Sequence, residues 1–435
     1  MRAFVVGLAG ALALGACASN EPAGQPAPFD READTYLGAL QALGDFNGVV
    51  LLRRDGKTIH HAAYSLPDTG IETLPVTLDS RFDLRSVSKL LAKAAVFELA
   101  SQGKIDPDDP IDTIFPGFPQ GDRITIRHLM NNASGLPREY TTLSRPLLEL
   151  SPREAVEQAA QEPLLFEPGT ETVYSNVGFE VLYALIGEVT GQPFGSYVIE
   201  TFFDPVGATS SGWHFEDPGA FPSGYAFGHS RKDGAIVPVL GWEAEEQARQ
   251  GALYTTAGDF ALVLEGLRAG PHAGSLADED GIIAHAGGSR GKRAYGEIET
   301  GDGDAVVFLS NFDGIPFARM VTDLRALIDG EAYEIPAAVN RVAITLPQET
   351  IERLAGRYRF REIEGLVLEM RAGDGVLEIY QDGEPGGVLR PESESVFFED
   401  PTSTESIAFE EGEDGTVMLL DWQGVTWRGE RIGGP

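Results

Sequence analysis

The chain has 435 residues, 67 acidic against 33 basic, and a formal net charge of −34 at neutral pH. That length is more than one hydrophobic core comfortably organises, which predicts two folded units plus a processed segment, and the apolar share of 42% excludes both a disordered and a polytopic membrane chain. The charge argues against nucleic acid, and against anionic lipid headgroups, as partners of the folded surface.

Met1 and Arg2 precede an apolar stretch, residues 3–16, shorter than the roughly 20 residues of a membrane-spanning helix. This reads as an export signal. It ends in Leu14-Gly15-Ala16-Cys17, which resembles the lipobox of bacterial lipoproteins, where the cysteine is lipidated and becomes the new N-terminus. Residues 1–17 are therefore expected to be a lipoprotein-type signal peptide with Cys17 as the lipidation site, and a conventionally cleaved secretory signal is the alternative. Cys17 is the only cysteine in the sequence, which rules out an internal disulfide. The residue after it is not Asp, so the resemblance implies a product on the periplasmic side, anchored to the outer membrane. Residues 18–30, small, polar and proline-rich, are expected to be a flexible tether.

An apolar strand at 47–52 and a second strand at 57–60 flank Arg54-Asp55-Gly56, the pattern of a β-hairpin. The window 87–100 lacks Gly and Pro and is dominated by apolar residues, predicting a mostly buried helix. Further helices are expected over 152–161 and 178–189. After Gly281 the pattern returns to strands, with 293–300 and 305–311 bracketing Gly301-Asp302-Gly303. Beyond residue 340, short alternating strands at 365–371, 375–380, 395–399 and 417–422 predict a second, all-β unit.

Three short motifs could carry chemistry. Ser86 and Lys89 stand three residues apart at the start of the long helix, close enough to one turn to share a face. A serine hydroxyl is a weak nucleophile at neutral pH, and a lysine in an apolar setting can act as its base or lower another group's pKa. The second motif is Tyr174-Ser175-Asn176, after a turn and before a helix. An ammonium about 4 Å from a phenol favours the phenolate by about 4 kcal/mol at an effective dielectric near 20, about three pKa units. The third is His285-Ala286-Gly287-Gly288, whose glycines allow close approach to a strand.

The order Ser-x-x-Lys, Tyr-x-Asn, His-x-Gly resembles the β-lactamase-related serine hydrolases, the superfamily of class C β-lactamases, D-Ala-D-Ala carboxypeptidases, D-aminopeptidases and carboxylesterases. The text around Arg81-Phe82-Asp83-Leu84, Asn131-Asn132-Ala133-Ser134-Gly135 and Leu309-Ser310-Asn311 is similar to that family as well. The resemblance covers about residues 35–330 and implies an α+β, β-lactamase/transpeptidase-like fold, an antiparallel sheet flanked by helices plus a helical subdomain. The hydrolase domain is expected at 31–335 and a C-terminal β domain at 345–435, similar to β-barrel-like extensions of some members.

The same resemblance implies that Ser86 forms an acyl-enzyme with Lys89 and Tyr174 as general base and acid. Asn176, His285 and Gly287 would bind substrate, and the backbone amides of Ser86 and Gly288 would hold the oxyanion. Two positions depart from the family. His285 stands where many penicillin-recognising members have lysine, and a neutral imidazole holds a carboxylate less firmly than an ammonium does. Arg85 precedes the nucleophile where a small residue is usual. The expected substrate is a small ester, amide or wall peptide, with β-lactam hydrolysis or a non-catalytic envelope-binding role as alternatives. Specificity is expected in loops such as 212–241. No cofactor or metal is implied: Asp302-Gly303-Asp304 and Asp106-Pro107-Asp108-Asp109 lack the spacing of a calcium loop, and His60 and His61 alternate across a strand. His128 is expected to be structural.

Overall fold

The computed structural model describes residues 28–67, 70–214, 220–232, 234–239, 241, 249–360, 366–381, 383–412, 415–422 and 425–433. Cys17, the signal segment and residues 18–27 of the expected tether lie outside them. Residues 28–30, also expected in that tether, instead open helix α1 (Pro28–Leu43). Proline suits a first helical turn, where its missing N–H is not needed. Ala33, Tyr36, Leu37 and Leu40 recur at helical spacing and are buried.

Strands β1 (Gly48–Arg54) and β2 (Lys57–Tyr64) form the predicted hairpin, with Asp55 and Gly56 both at positive φ in the turn. Strands β3 (Ile282–Ser289), β4 (Lys292–Glu299) and β5 (Ala305–Ser310) complete an antiparallel five-stranded sheet in the order β2-β1-β5-β4-β3. The first strand thus lies beside the last, Gly48 opposite Ser310.

Both faces of the sheet are covered. Val50, Leu52, Val306 and Phe308 pack on α1 and on α5 (Phe317–Asp329), while Val49, Leu51, Val307 and Leu309 point the other way. That second face meets α2 (Ser88–Ser101), α3 (Asn176–Thr190) and α4 (Ala257–Ala269). Strand side chains alternate, so a strand buried on both faces has to be apolar throughout, which explains the unbroken run in β1. Among the described residues no helix is long and apolar enough to cross a membrane.

The C-terminal unit is a closed barrel of eight strands, β6 (Gly356–Phe360), β7 (Val367–Ala372), β8 (Leu377–Gln381), β9 (Glu384–Pro391), β10 (Val396–Phe398), β11 (Ser406–Gly412), β12 (Gly415–Trp422) and β13 (Val425–Gly433). Strand β6 pairs with β13, which removes the exposed sheet edges. Tyr358, Phe360, Met370, Leu377, Phe397 and Met418 fill the interior, while Arg357 and Arg359 alternate outward from β6. The expected strand over 365–371 starts at Val367, with Gly365 outside the described residues. The fold class is the one expected, α+β with an all-β C-terminal domain.

Candidate active site

Ser86 sits in a 3-10 turn, Arg85–Val87, that runs into α2, and Lys89 lies in the first turn of that helix. The ammonium of Lys89 donates to Ser86 Oγ at 3.1 Å. Tyr174 and Asn176 arrive from the start of α3. There Ser175 is the cap: its hydroxyl accepts from Gly178 N–H at 2.8 Å and donates to the Pro137 carbonyl at 2.8 Å. The Asn132 side chain, from a residue at positive φ, accepts from the Ser175 amide at 3.0 Å. These bonds fix the entry to α3. The Tyr174 hydroxyl can then donate to Ser86 Oγ at 2.7 Å, and Asn176 Oδ1 can accept from Lys89 Nζ at 2.8 Å.

The ammonium of Lys89 also lies over two rings, 4.8 Å from the centre of Tyr174 and 5.3 Å from that of Phe179. Asn176 Nδ2 donates to Glu139 Oε1 at 2.5 Å, and Arg249 holds the other oxygen of Glu139 at 3.0 Å. Lys89, one helical turn away, and Tyr174, distant in sequence, therefore meet at Ser86 Oγ, and Asn176 joins them through Lys89.

Strand β3 is the sheet edge that borders the turn carrying Ser86. A Cβ on Gly287 would overlap the Leu84 carbonyl oxygen and come within 3.1 Å of the Ser86 amide nitrogen, so only glycine lets the strand press this closely on the turn. Gly288 lines the cleft; Gly287 and His285 do not. Burial, reinforced by the Lys89 and Lys93 ammonium groups, pushes the His285 imidazole down to about 4, although its Nδ1–H donates to the Ala286 carbonyl at 2.7 Å. It is neutral at physiological pH.

Beneath the turn lies a charge cluster that the sequence reading did not assemble. The carboxylate of Asp83 receives Lys292 Nζ at 2.8 Å, His214 Nε2 at 2.8 Å and the Tyr225 hydroxyl at 2.8 Å, with the Arg85 guanidinium at 3.2 Å. Asp83, Lys292 and His214 are buried. Burial opposes the carboxylate's charge, but Lys292 and Arg85, helped by the His214 hydrogen bond, hold it well below the usual range. Arg85 has φ +53°, a left-handed backbone that non-glycine residues rarely adopt. Its ion pair with Asp83 holds that conformation immediately before Ser86. His214 and Tyr225 come from the segment expected to carry specificity, part of which lies outside the described residues.

Glu180, one helical turn beyond Asn176, lines the same cleft and is 2% exposed. Burial raises its carboxyl to about 7 against the opposing pull of Arg249, the Gln250 amide and Lys89. The cleft encloses about 240 Å³. No group of His, Cys, Asp and Glu among the described residues has the arrangement of a metal site. His128 serves in the capping box of the helix Ile126–Met130 with Thr125, and the Asp108 carboxylate is held by Arg127 at 2.6 Å.

The chain belongs to the family described as Beta-lactamase, whose pattern matches residues 33–329. The family is one of serine hydrolases. The chain is similar to the esterase EstB of Burkholderia gladioli, 26% identical over 290 residues, 57% of this chain and 74% of that protein. It is similar to the D-aminopeptidase of Brucella anthropi, 32% identical over 167 residues, 37% of this chain and 31% of that protein. The chain spans less than half the length of several other curated relatives it matches.

Among solved structures, the octameric penicillin-binding protein homologue from Pyrococcus abyssi superposes with a TM-score of 0.59 at 16% identity, over 93% of this chain and 100% of that one. The D-amino acid amidase from Ochrobactrum anthropi SV3 gives 0.59 at 19%, over 68% and 98%. These likenesses define the fold.

Proposed function

We propose that the chain is an exported serine hydrolase that cleaves an ester or amide through an acyl-enzyme on Ser86. The observation that carries this reading is the pair of hydrogen bonds at Ser86 Oγ, 2.7 Å from the Tyr174 hydroxyl and 3.1 Å from Lys89 Nζ. A nucleophile with two proton-handling groups in reach can lose its proton as it attacks, and the same pair can return a proton to the leaving group. The ammonium of Lys89 lies over the Tyr174 ring, and Asn176 orients it by accepting one of its hydrogens. The amides of Ser86 and Gly288 would hold the tetrahedral oxyanion. Water then hydrolyses the acyl-serine by the reverse proton path.

The localisation in this reading is the periplasmic side of the outer membrane, through a lipid on Cys17. What supports it is the sequence of residues 1–17, a basic start, a short apolar stretch and a lipobox-like end.

Hydrolysis of p-nitrophenyl valerate by the protein lacking residues 1–17, measured beside Ser86→Ala, tests the chemistry. Equal rates remove Ser86 as nucleophile. Incubation with purified wall peptides, followed by assay of released D-Ala, separates a carboxypeptidase from an esterase.

A further inference from the structure

Tyr174, Ser175 and Asn176 are each held by one residue of the short segment Pro137-Arg138-Glu139. The Arg138 guanidinium lies 5.2 Å from the centre of the Tyr174 ring, and the Pro137 carbonyl accepts from the Ser175 hydroxyl at 2.8 Å. The Glu139 carboxylate accepts from the Asn176 side chain at 2.5 Å, and the Arg138 carbonyl accepts from the Asn176 backbone N–H at 2.9 Å. Ring, cap and amide are thus indexed to three consecutive residues.

Glu139 differs from its two neighbours in what it decides. Pro137 and Arg138 hold the cap, the backbone and the ring, whereas Glu139 meets the side chain that carries Lys89. An asparagine amide is nearly symmetric in shape but opposite at its two ends, a carbonyl that accepts and an amino group that donates. A carboxylate only accepts, and an ammonium only donates. Between Glu139 and Lys89 the amide therefore has one satisfied orientation, Nδ2 toward Glu139 and Oδ1 toward Lys89. Turned over, it would set carbonyl against carboxylate and amino group against ammonium. Lys89 would then lose the acceptor at 2.8 Å that holds it 3.1 Å from Ser86 Oγ. Glu139 is itself fixed on its far side, where Oε2 accepts from Arg249 at 3.0 Å.

We propose, resting on the acyl-serine reading above, that Glu139 is a positioning residue for the hydrolysis. It fixes which end of the Asn176 amide faces Lys89, and through that amide it sets the place of the ammonium at the nucleophile. Its influence reaches Ser86 through two intervening side chains, each held by a hydrogen bond in which one partner is charged, the stronger kind.

Steady-state hydrolysis of p-nitrophenyl valerate by the parent, Glu139→Ala, Glu139→Gln, Asn176→Ala and Glu139→Ala/Asn176→Ala tests this. Glu139→Ala should lower kcat by at least about tenfold, the size of one hydrogen bond to a charged group, with KM within about twofold of the parent. Glu139→Gln, whose side-chain carbonyl can accept the same hydrogen, should keep a larger part of the rate. On the Asn176→Ala background the loss of Glu139 should have little further effect, because the group it acts through is gone. The rate at which a fluorophosphonate labels Ser86, followed by mass, extends the comparison to variants too slow for turnover. Circular dichroism and urea midpoints establish that each variant is folded, and Glu139→Met, similar in length without the carboxylate, replaces Glu139→Ala if the latter is not.

A Glu139→Ala loss that recurs in full on the Asn176→Ala background would belong to the loop at large, and a raised KM at parent kcat would make Glu139 a substrate contact. Either result overturns the proposal, as does a parent-like kcat. If Ser86→Ala cleaves the ester and takes the label as fast as the parent, the acyl-serine reading itself falls, and this positioning role with it.

Discussion

Lys292 Nζ lies 2.8 Å from Asp83 Oδ2, both groups buried under the turn that presents Ser86. A carboxylate between two buried cations cannot be neutralised without leaving charge behind. Asp83→Asn is expected to destabilise the protein by about 3–5 kcal/mol, because Arg85 and Lys292 lose their counter-ion away from water. Urea unfolding measures this, and a loss under about 1 kcal/mol would mean that the cluster is not holding the turn.

Gly287→Ala places a methyl group into the Leu84 carbonyl and close to the Ser86 amide. Either strand β3 or the nucleophile turn has to move, and small misplacements at a reacting centre can cost about a hundredfold. The expected result is a fall in kcat of about that size with KM changed far less. Parent-like kcat would show that the turn and strand can separate without consequence.

Tyr174→Phe removes the 2.7 Å hydrogen bond to Ser86 Oγ and keeps the ring beside Lys89. Loss of a proton-handling group is expected to lower kcat by about 10²–10⁴. Stopped-flow measurement of acylation with a p-nitrophenyl ester separates this from a slower deacylation. An unchanged acylation rate would take Tyr174 out of that step.

Glu180 and His285 give stability opposite pH dependences. The native Glu180 carboxyl, raised to about 7 from 4.5, binds more protons than the unfolded one between those values, so its contribution to stability falls as pH rises through them. His285, lowered to about 4 from 6.5, binds fewer protons when native, so its contribution rises with pH over nearly the same range. Each amounts to at most about 3 kcal/mol. Relative to the parent, Glu180→Gln should therefore gain stability between pH about 4.5 and about 7, and His285→Gln should lose it. Urea midpoints across that range report both, and parallel curves for parent and variants would contradict the assignment.

Metabolic labelling with palmitate is expected to mark the full-length protein in a bacterial host and to be lost in Cys17→Ser. Label retained in that variant would exclude Cys17 as the anchor.

Much of the site was legible because its chemistry is local. Ser86 and Lys89 are one helical turn apart, and Tyr174 and Asn176 flank a capping serine, so each short stretch carries its own geometric reason. The hairpin of β1 and β2 and the buried helix α2 followed from apolar pattern and turn residues. Helix α1 was not read from the sequence: Pro28 closes a proline-rich run that reads as tether, and no element was assigned between that run and the first hairpin. The Asp83 cluster was not readable, because its members lie on four separate segments and meet only through tertiary packing. Arg85 was the one visible signal, a large cation where the family resemblance calls for a small residue. Closure of the barrel was beyond alternation alone, since the pairing of β6 with β13 joins its two ends.

The pairing of β1 with β5 has a consequence for synthesis. Both strands are central to the sheet, yet Gly48 leaves the ribosome long before its neighbour Ser310, and Ser86, Lys89, Tyr174 and Asn176 are all made in the interval. Contacts of such long separation form slowly, so a nascent chain halted before Ser310 holds all four of these side chains but no completed scaffold to align them. Competence should therefore appear abruptly, late in elongation, when the fifth strand inserts.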